Sequence, residues 1–159
     1  EPLIIEKLLS EVIADFTSEA AEKGMHIRYS STNTETTILG DIGKLRIALH
    51  NLLENAIKYG NPNTDITVQL VTTPTQMTLS IRDMGINIPN EEQSQMFTKF
   101  FRASNARAHT PGVGLGLYAT KAIVERHHGT ISFTTGQNGT VFSIVLPVSQ
   151  HPDHLPKTV

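Results

Sequence analysis

The chain has 159 residues, enough for one domain with a hydrophobic core and too few for two domains of ordinary size. Its formal net charge is -2, with 18% charged residues, so the composition offers no basic field for nucleic acid. It contains no cysteine, which excludes disulfides and cysteine metal sites. No apolar run approaches the roughly 20 residues that span a bilayer. Because the sequence starts without methionine inside a helical pattern, we interpret it as a fragment of a longer protein.

The first third of the chain combines one helical pattern with two strand patterns. Apolar residues at helical spacing predict a helix over residues 3–23, and Gly24 is a natural stop. Residues 25–30 alternate like a strand, and residues 36–39 are expected to pair with them.

A second helix is predicted over residues 42–59, with Asp41 as its N-cap and Gly60 at its end. The elements that follow are a hairpin over 66–73 and 76–83, a short helical piece from Pro89, a surface loop over 102–112, a helix over about 115–127 and a hairpin over 130–135 and 140–147. Together they predict an α/β two-layer sandwich, in which a mixed, mostly antiparallel sheet is covered on one face by about three helices. We expect the domain to occupy residues 1–148 and residues 149–159 to form a flexible tail.

The second helix carries a polar stripe away from its apolar face. At about 100° per residue, Lys44, Asn51, Asn55 and Lys58 fall on this stripe. Asparagine is a mediocre helix former, amide oxygens suit a hard cation, and an ammonium group suits phosphate. The stripe therefore indicates either a ligand site or, equally well when taken alone, a solvated helix face.

Asp83 shares one face of a predicted strand with Leu79 and Ile81, which places a carboxylate in line with core residues. A buried carboxylate needs a donor partner. Gly85 lets the backbone turn away and leaves space beside the carboxylate. The alternative is a turn-forming aspartate at the end of a strand.

Glycines at positions 112, 114 and 116 come directly before a helix. Such a loop presents unpaired N–H groups and the positive end of the helix dipole to one point, which suits phosphate. It is not a Walker loop, because no Lys-Ser or Lys-Thr follows, and its spacing differs from the dinucleotide fingerprint. The alternative is that these glycines serve close packing only.

The order and spacing of four motifs resemble the catalytic ATP-binding domain of sensor histidine kinases, which has the GHKL or Bergerat fold. In family terms "NLLENAIKY" resembles the N box, "DMGINIP" the G1 box, "MFTKFFRA" the F box and "GVGLGL" the G2 box. The resemblance covers residues 5–147.

The resemblance implies a role for each matching residue. Asn51 and Asn55 match the N-box amides, with Asn55 as the Mg²⁺ ligand. Lys58 matches the lysine that contacts phosphate, and Tyr59 the aromatic residue that lines the nucleotide. Asp83 matches the aspartate that accepts from the adenine amino group.

The other implied residues belong to the G1 box, the F box and the G2 loop. Those for the nucleotide are Gly85, Phe97, Arg102, Gly112, Gly114, Gly116 and Leu117, and Phe100 matches the F box as well. The F box flanks a mobile lid over residues 102–112. A general base is expected near the N box, at Glu54 or His50.

Two positions depart from the family pattern. Asn87 stands where a second G1 glycine is usual, and Val113 replaces the Thr or Ser often found between the G2 glycines. Asparagine tolerates left-handed backbone better than other non-glycine residues, so we expect the turn to survive the replacement. Its bulk is expected to weaken nucleotide binding, and Asn87→Gly to tighten it about fivefold.

The implied function is to bind Mg-ATP and to transfer the γ-phosphoryl group to a histidine on a separate dimerisation domain. None of the seven histidines has the phosphoacceptor context, so we expect that domain upstream. The implied partners are this domain and the receiver domain of a response regulator, with the fragment itself monomeric. The fragment is expected to be a cytoplasmic part of a membrane-anchored protein.

Two alternatives stay open from the sequence. The chain is also compatible with a degenerate nucleotide-binding regulatory module that lacks phosphotransfer. An ATPase of the topoisomerase, chaperone or mismatch-repair type is disfavoured, because those carry a catalytic glutamate where Asn51 stands.

Overall fold

The fold is described by a computed structural model that covers residues 1–98 and 116–149. In chain order its elements are β1 (Pro2–Ile4), α1 (Ile5–Glu22), β2 (Ile27–Ser31), β3 (Thr37–Leu39), α2 (Ile42–Tyr59), β4 (Ile66–Thr72), β5 (Gln76–Asp83), a 3₁₀-helix (Asn90–Gln95), α3 (Gly116–Arg126), β6 (Thr130–Gly136) and β7 (Gly139–Pro147). Within these ranges no helix is both long and apolar enough to cross a bilayer.

The main sheet has five strands in the order β2-β4-β5-β7-β6. The pair β2–β4 is parallel, since the chain between them crosses over through β3 and α2, and the other three pairs are antiparallel. Alternate side chains such as Val68, Leu79 and Ile144 are buried and share one core with the helices. The predicted two-layer fold with a mixed, mostly antiparallel sheet is confirmed.

The predicted pairing of residues 36–39 with the strand at 25–30 is wrong. Strand β3 instead pairs antiparallel with β1, which places Leu3 opposite Ile38. The predicted first helix also began too early, because residues 2–4 are extended and α1 starts at Ile5. An alternating pattern specifies which face of a strand is buried but not which strand lies beside it, so three residues could not decide their partner.

The predicted C-terminal end of the first helix and both predicted ends of the second helix are confirmed. The Asp41 side chain accepts a hydrogen bond from the Lys44 N–H at 3.1 Å, as an N-cap does. Gly24 follows α1 with a φ of +70°, a left-handed conformation that glycine adopts without strain. Helix α2 ends at Gly60, whose N–H still donates to the Ala56 carbonyl.

His127 joins the end of α3 to the beginning of α2. Its Nε2 accepts from the Asp41 N–H at 3.0 Å, so the ring proton lies on Nδ1, which donates to the Ile123 carbonyl at 2.7 Å. Gly40 permits this contact, since a Cβ there would lie 2.7 Å from the imidazole Cδ2. One side chain thus fixes how two helices of the core layer meet.

We expect His127→Leu to lower the free energy of unfolding by about 1–3 kcal/mol, because the Asp41 N–H loses its acceptor and the Ile123 carbonyl loses a donor. Urea denaturation measures the change. The matched control is His128→Asn, because His128 is exposed and has a φ of 63° that asparagine tolerates. Equal stability of His127→Leu and the parent chain would contradict the prediction.

Candidate active site

Asn51 is held by the first turn of α3. Its Nδ2 donates to the Gly116 carbonyl at 3.2 Å and to the Thr120 Oγ1 at 3.3 Å. Thr120 is fully buried and gives its own proton to the Gly116 carbonyl at 2.7 Å. Because both partners offer acceptors, the amide nitrogen faces α3 and Oδ1 remains for a ligand. Thr120 was not predicted as part of the site; a hydroxyl one turn after Gly116 in an apolar helix face was the only signal.

Asn55 lies one turn after Asn51 on α2 and is half-buried. No described residue hydrogen-bonds its amide, which leaves the oxygen available to a cation. On the same stripe, Lys58 Nζ lies 2.7 Å from Glu54 Oε1. An exposed pair of this kind contributes about 0.3–0.5 kcal/mol, so Lys58 can exchange its carboxylate partner for a phosphate at little cost.

The two candidates for a general base lie in different surroundings. Glu54 is paired with Lys58, on the side of α2 that carries the asparagines. His50 faces α1, where Nε2 is 3.1 Å from Asp15 Oδ2 and the ring centroid is 4.9 Å from that of Phe16. The structure therefore does not bring His50 toward the contact between Asn51 and α3.

The carboxylate of Asp83 lies at the end of β5 and is only 5% exposed. Its Oδ1 has no hydrogen-bond partner among the described residues. Burial raises the pKa of this carboxyl to about 7, an effect that the positive charge of Lys23 partly opposes. A buried acceptor without a donor is costly, so this carboxylate is suited to a ligand that brings an N–H group.

Gly85 allows the segment after β5 to touch the end of α2. A Cβ at this position would overlap the carbonyl oxygen of Tyr59. Gly60 and Gly85 form an isolated antiparallel bridge, and the Ile86 N–H donates to the Tyr59 carbonyl at 3.2 Å. The sequence predicted that Gly85 leaves free space beside Asp83. At Gly85 itself, the backbone at the end of α2 fills that space.

The aromatic ring of Phe97 packs on the sheet. Its centroid lies 5.9 Å from that of Phe133 and 6.3 Å from that of Phe142, both in edge-to-face arrangements. The Lys121 Nζ lies 5.6 Å from the centroid of the Phe97 ring. Leu117, at the start of α3, is half-buried and packs against the core.

The backbone of Asn87 is not left-handed, since the described non-glycine residues with positive φ are Asn63 and His128. The Oδ1 of Asn87 accepts from the Thr135 hydroxyl at 3.2 Å, and the Ile88 N–H donates to that hydroxyl at 3.2 Å. The loop after β5 is thus tied to β6 by side-chain contacts. A contact between distant residues of this kind gives no signal in the sequence.

Several predicted residues lie outside the described ranges, namely Phe100, Arg102, Gly112, Val113, Gly114 and the whole predicted lid over 102–112. Gly116 is the first residue of α3. A Cβ there would lie 3.7 Å from the Asn51 Cγ, an ordinary contact, so packing alone does not require glycine. Within residues 1–98 and 116–149, no group of three or more His, Cys, Asp or Glu side chains could hold a metal.

Comparison with known proteins gives a consistent result. Residues 40–150 match the family model described as histidine kinase-, DNA gyrase B-, and HSP90-like ATPase. The chain is 33% identical over 135 residues to the sensor histidine kinase YvrG of Bacillus subtilis, covering 84% of this chain and 23% of that protein. It is 31% identical over 150 residues to the sensor-like histidine kinase SenX3 of Mycolicibacterium smegmatis, covering 94% of this chain and 38% of that protein.

Solved structures show the same similarity. The catalytic domain of histidine kinase ThkA superposes with a TM-score of 0.83 at 26% identity, covering 92% of this chain and 96% of that one. The mycobacterial sensor histidine kinase MprB gives a TM-score of 0.83 at 29% identity, covering 95% of this chain and 100% of that one. The chain therefore spans a minor part of its full-length relatives and nearly all of a catalytic domain. It belongs to the histidine kinase-, DNA gyrase B- and HSP90-like ATPase family, as the catalytic ATP-binding domain of a sensor histidine kinase.

Proposed function

We propose that this domain binds ATP with Mg²⁺ and presents the γ-phosphoryl group to a histidine on a separate dimerisation domain. The observation that carries the proposal is the buried Asp83 carboxylate, whose Oδ1 has no donor among the described residues. The exocyclic amino group of adenine supplies an N–H that this acceptor lacks, whereas guanine would present a carbonyl oxygen there. Adenine recognition at Asp83 therefore relieves an existing electrostatic cost.

The amides of Asn51 and Asn55 are the residues that would hold Mg²⁺. Their oxygens are hard neutral ligands on adjacent turns of one helix face, and magnesium sites combine such ligands with substrate phosphates. The bound ion would neutralise charge on the phosphates during transfer. Thr120 keeps the Asn51 oxygen available, because it occupies the amide nitrogen.

Phosphate binding is assigned to Lys58, to the positive end of the α3 dipole and to the glycines that precede α3. The main tasks of the protein are then positioning and charge neutralisation, since the acceptor imidazole is itself the nucleophile. Glu54 is the better placed of the two candidate bases, since it lies on the stripe with the asparagines while His50 is paired with Asp15.

Two partners follow from the proposed transfer. One is the domain that carries the phosphoacceptor histidine, and the other is the receiver domain of a response regulator. Histidine kinase ThkA, a structural neighbour with a TM-score of 0.78 at 23% identity, has been solved in complex with the response regulator TrrA. We further propose that the full-length protein is anchored in a membrane with this domain on the cytoplasmic side, as is typical of sensor histidine kinases.

Calorimetric titration with ATP and GTP in the presence of Mg²⁺ tests the assignment of Asp83. We expect ATP to bind and GTP to bind at least tenfold more weakly, because guanine offers no donor at this position. Asp83→Asn should weaken ATP binding by roughly 1.5–3 kcal/mol, about 10- to 100-fold, through loss of a charge-assisted hydrogen bond. The control is Asp65→Asn, which changes an exposed carboxylate paired with Arg28. Equal ATP and GTP affinities in the parent chain would refute the assignment.

The stability of the ligand-free chain should depend on pH through Asp83. Its carboxyl has a pKa of about 7 in the folded chain against the usual 3.8, so between these values the folded state holds a proton that the unfolded state releases. The free energy of unfolding should therefore fall as pH rises from about 4 to about 7. At pH 8 we expect ligand-free Asp83→Asn to exceed the parent by an amount on the order of 2 kcal/mol. Urea denaturation across this pH range measures it; parallel profiles for the two chains would contradict the prediction.

The contact between Asn87 and Thr135 reverses the effect expected for Asn87→Gly. The substitution removes a hydrogen bond and frees the loop after β5, so ATP binding should weaken about two- to fivefold rather than tighten. Thr135→Val removes the same contact from the other side and should weaken binding by a similar factor. Calorimetric titration of both variants is the measurement. Tighter ATP binding by Asn87→Gly would contradict this prediction and support the first expectation, that the bulk of Asn87 hinders the nucleotide.

The chain alone should bind ATP but acquire no acid-labile phosphate from radioactive ATP, because no histidine has the phosphoacceptor context. Addition of a dimerisation domain from the same full-length protein should produce labelling of that domain. Nucleotide binding without any transfer to it would favour the degenerate regulatory module. Acid-labile label on the chain alone would contradict the prediction.

A further inference from the structure

Lys23, the residue that follows α1, caps the end of α2. Its Nζ donates to the carbonyl oxygens of Ile57 and Gly60, the latter at 3.2 Å, with a longer contact of 3.4 Å to that of Lys58. The last carbonyls of a helix have no partner within the helix and carry its negative dipole end. A half-buried ammonium group that reaches three of them from another helix is a specific structural feature.

The carbonyls bound by Lys23 flank residues assigned to the nucleotide. Lys58 and Tyr59 lie between Ile57 and Gly60, and the bridge of Gly60 with Gly85 fixes the segment after β5. The backbone next to Lys23 contributes as well, since its carbonyl accepts from the Asn63 N–H at 2.9 Å. Lys23 therefore stabilises the contact between the end of α2 and the loop after β5, the two segments that border the proposed adenine pocket.

The charge of Lys23 also acts on Asp83. A Cβ added to Gly60 would lie 3.5 Å from the Asp83 Cβ, so Lys23 binds the carbonyl of a residue that lies beside the base of the Asp83 side chain. Its charge lowers the pKa of Asp83, against the larger effect of burial, which raises it.

Other groups near Asp83 do not replace this charge. On α2, Lys58 is paired with Glu54. On β5, Arg82 is exposed and alternates to the opposite face, while the partner of Asp83 on β7 is the uncharged Thr140. Lys23 is thus the positive group whose charge opposes the effect of burial on the pKa of Asp83.

We propose that Lys23 is a positioning residue for adenine recognition, which holds the end of α2 against the loop after β5 and supplies the positive charge behind the Asp83 carboxylate. The role in recognition rests on the proposed function. The electrostatic part does not, because it concerns the ligand-free chain.

The first experiment is a carbon-13 NMR titration of the Asp83 carboxyl in the ligand-free chain, with Asp83→Asn to assign the resonance. Lys23→Gln keeps a side-chain donor for the helix carbonyls but removes the charge, and it should raise the titration midpoint by about half a pH unit or more. Lys23→Arg, which keeps the charge, should leave the midpoint close to that of the parent. Lys7→Gln, which changes an exposed lysine on α1, is the matched control.

The second experiment measures ATP affinity from pH 6 to pH 9 in the same variants. In Lys23→Gln the pH at which affinity reaches half its plateau should rise by the same amount as the NMR midpoint, while Lys23→Arg and Lys7→Gln follow the parent profile. An unshifted NMR midpoint in Lys23→Gln, or an equal shift in Lys7→Gln, would overturn the proposal. Absence of ATP binding in the parent would refute the proposed function and the role in recognition, and the NMR midpoint would still decide the electrostatic part.

Discussion

The candidate site depends on one close backbone contact, between the end of α2 and the segment that follows β5. Gly85 lies so near the Tyr59 carbonyl that a side chain at this position would overlap it. The bridge between Gly60 and Gly85, and the hydrogen bond from the Asn61 N–H to the Met84 carbonyl at 2.8 Å, hold the two segments in register. The amide-bearing helix and the strand that ends in Asp83 are positioned relative to each other by this contact. Any larger residue would separate them.

This contact also accounts for the buried acid. Packing of α2 against the loop removes water from Asp83 without supplying a donor to its Oδ1, and the pKa rises because the charged form loses hydration. In the free chain the site therefore stores an unfavourable interaction. A ligand that donates a hydrogen bond to Oδ1 removes this unfavourable interaction, and the free energy released adds to its affinity.

Much of this organisation could be predicted from the sequence. Helical periodicity located α1 and α2, the Asp41 cap and Gly24 gave ends that the structure confirms, and alternating strands gave both hairpins. The side-chain contacts that complete the site could not be predicted. Thr120 reaches Asn51 across 69 positions and Thr135 reaches Asn87 across 48, and no periodic pattern encodes which polar side chains meet after folding. The predicted partner of β3 was wrong for a similar reason, because three residues specify which face of a strand is buried but not which strand lies beside it.

The attachment of Asn51 to the first turn of α3 has a mechanical consequence. The Gly116 carbonyl receives one proton from Asn51 and one from Thr120, so α3 begins at a point that is anchored to α2. A displacement of the beginning of α3 relative to α2 would therefore act on the orientation of a single amide, whose nitrogen faces α3. The position of α3 relative to α2 and the direction of the proposed magnesium ligand are thus coupled through one torsion, the side-chain rotation of Asn51.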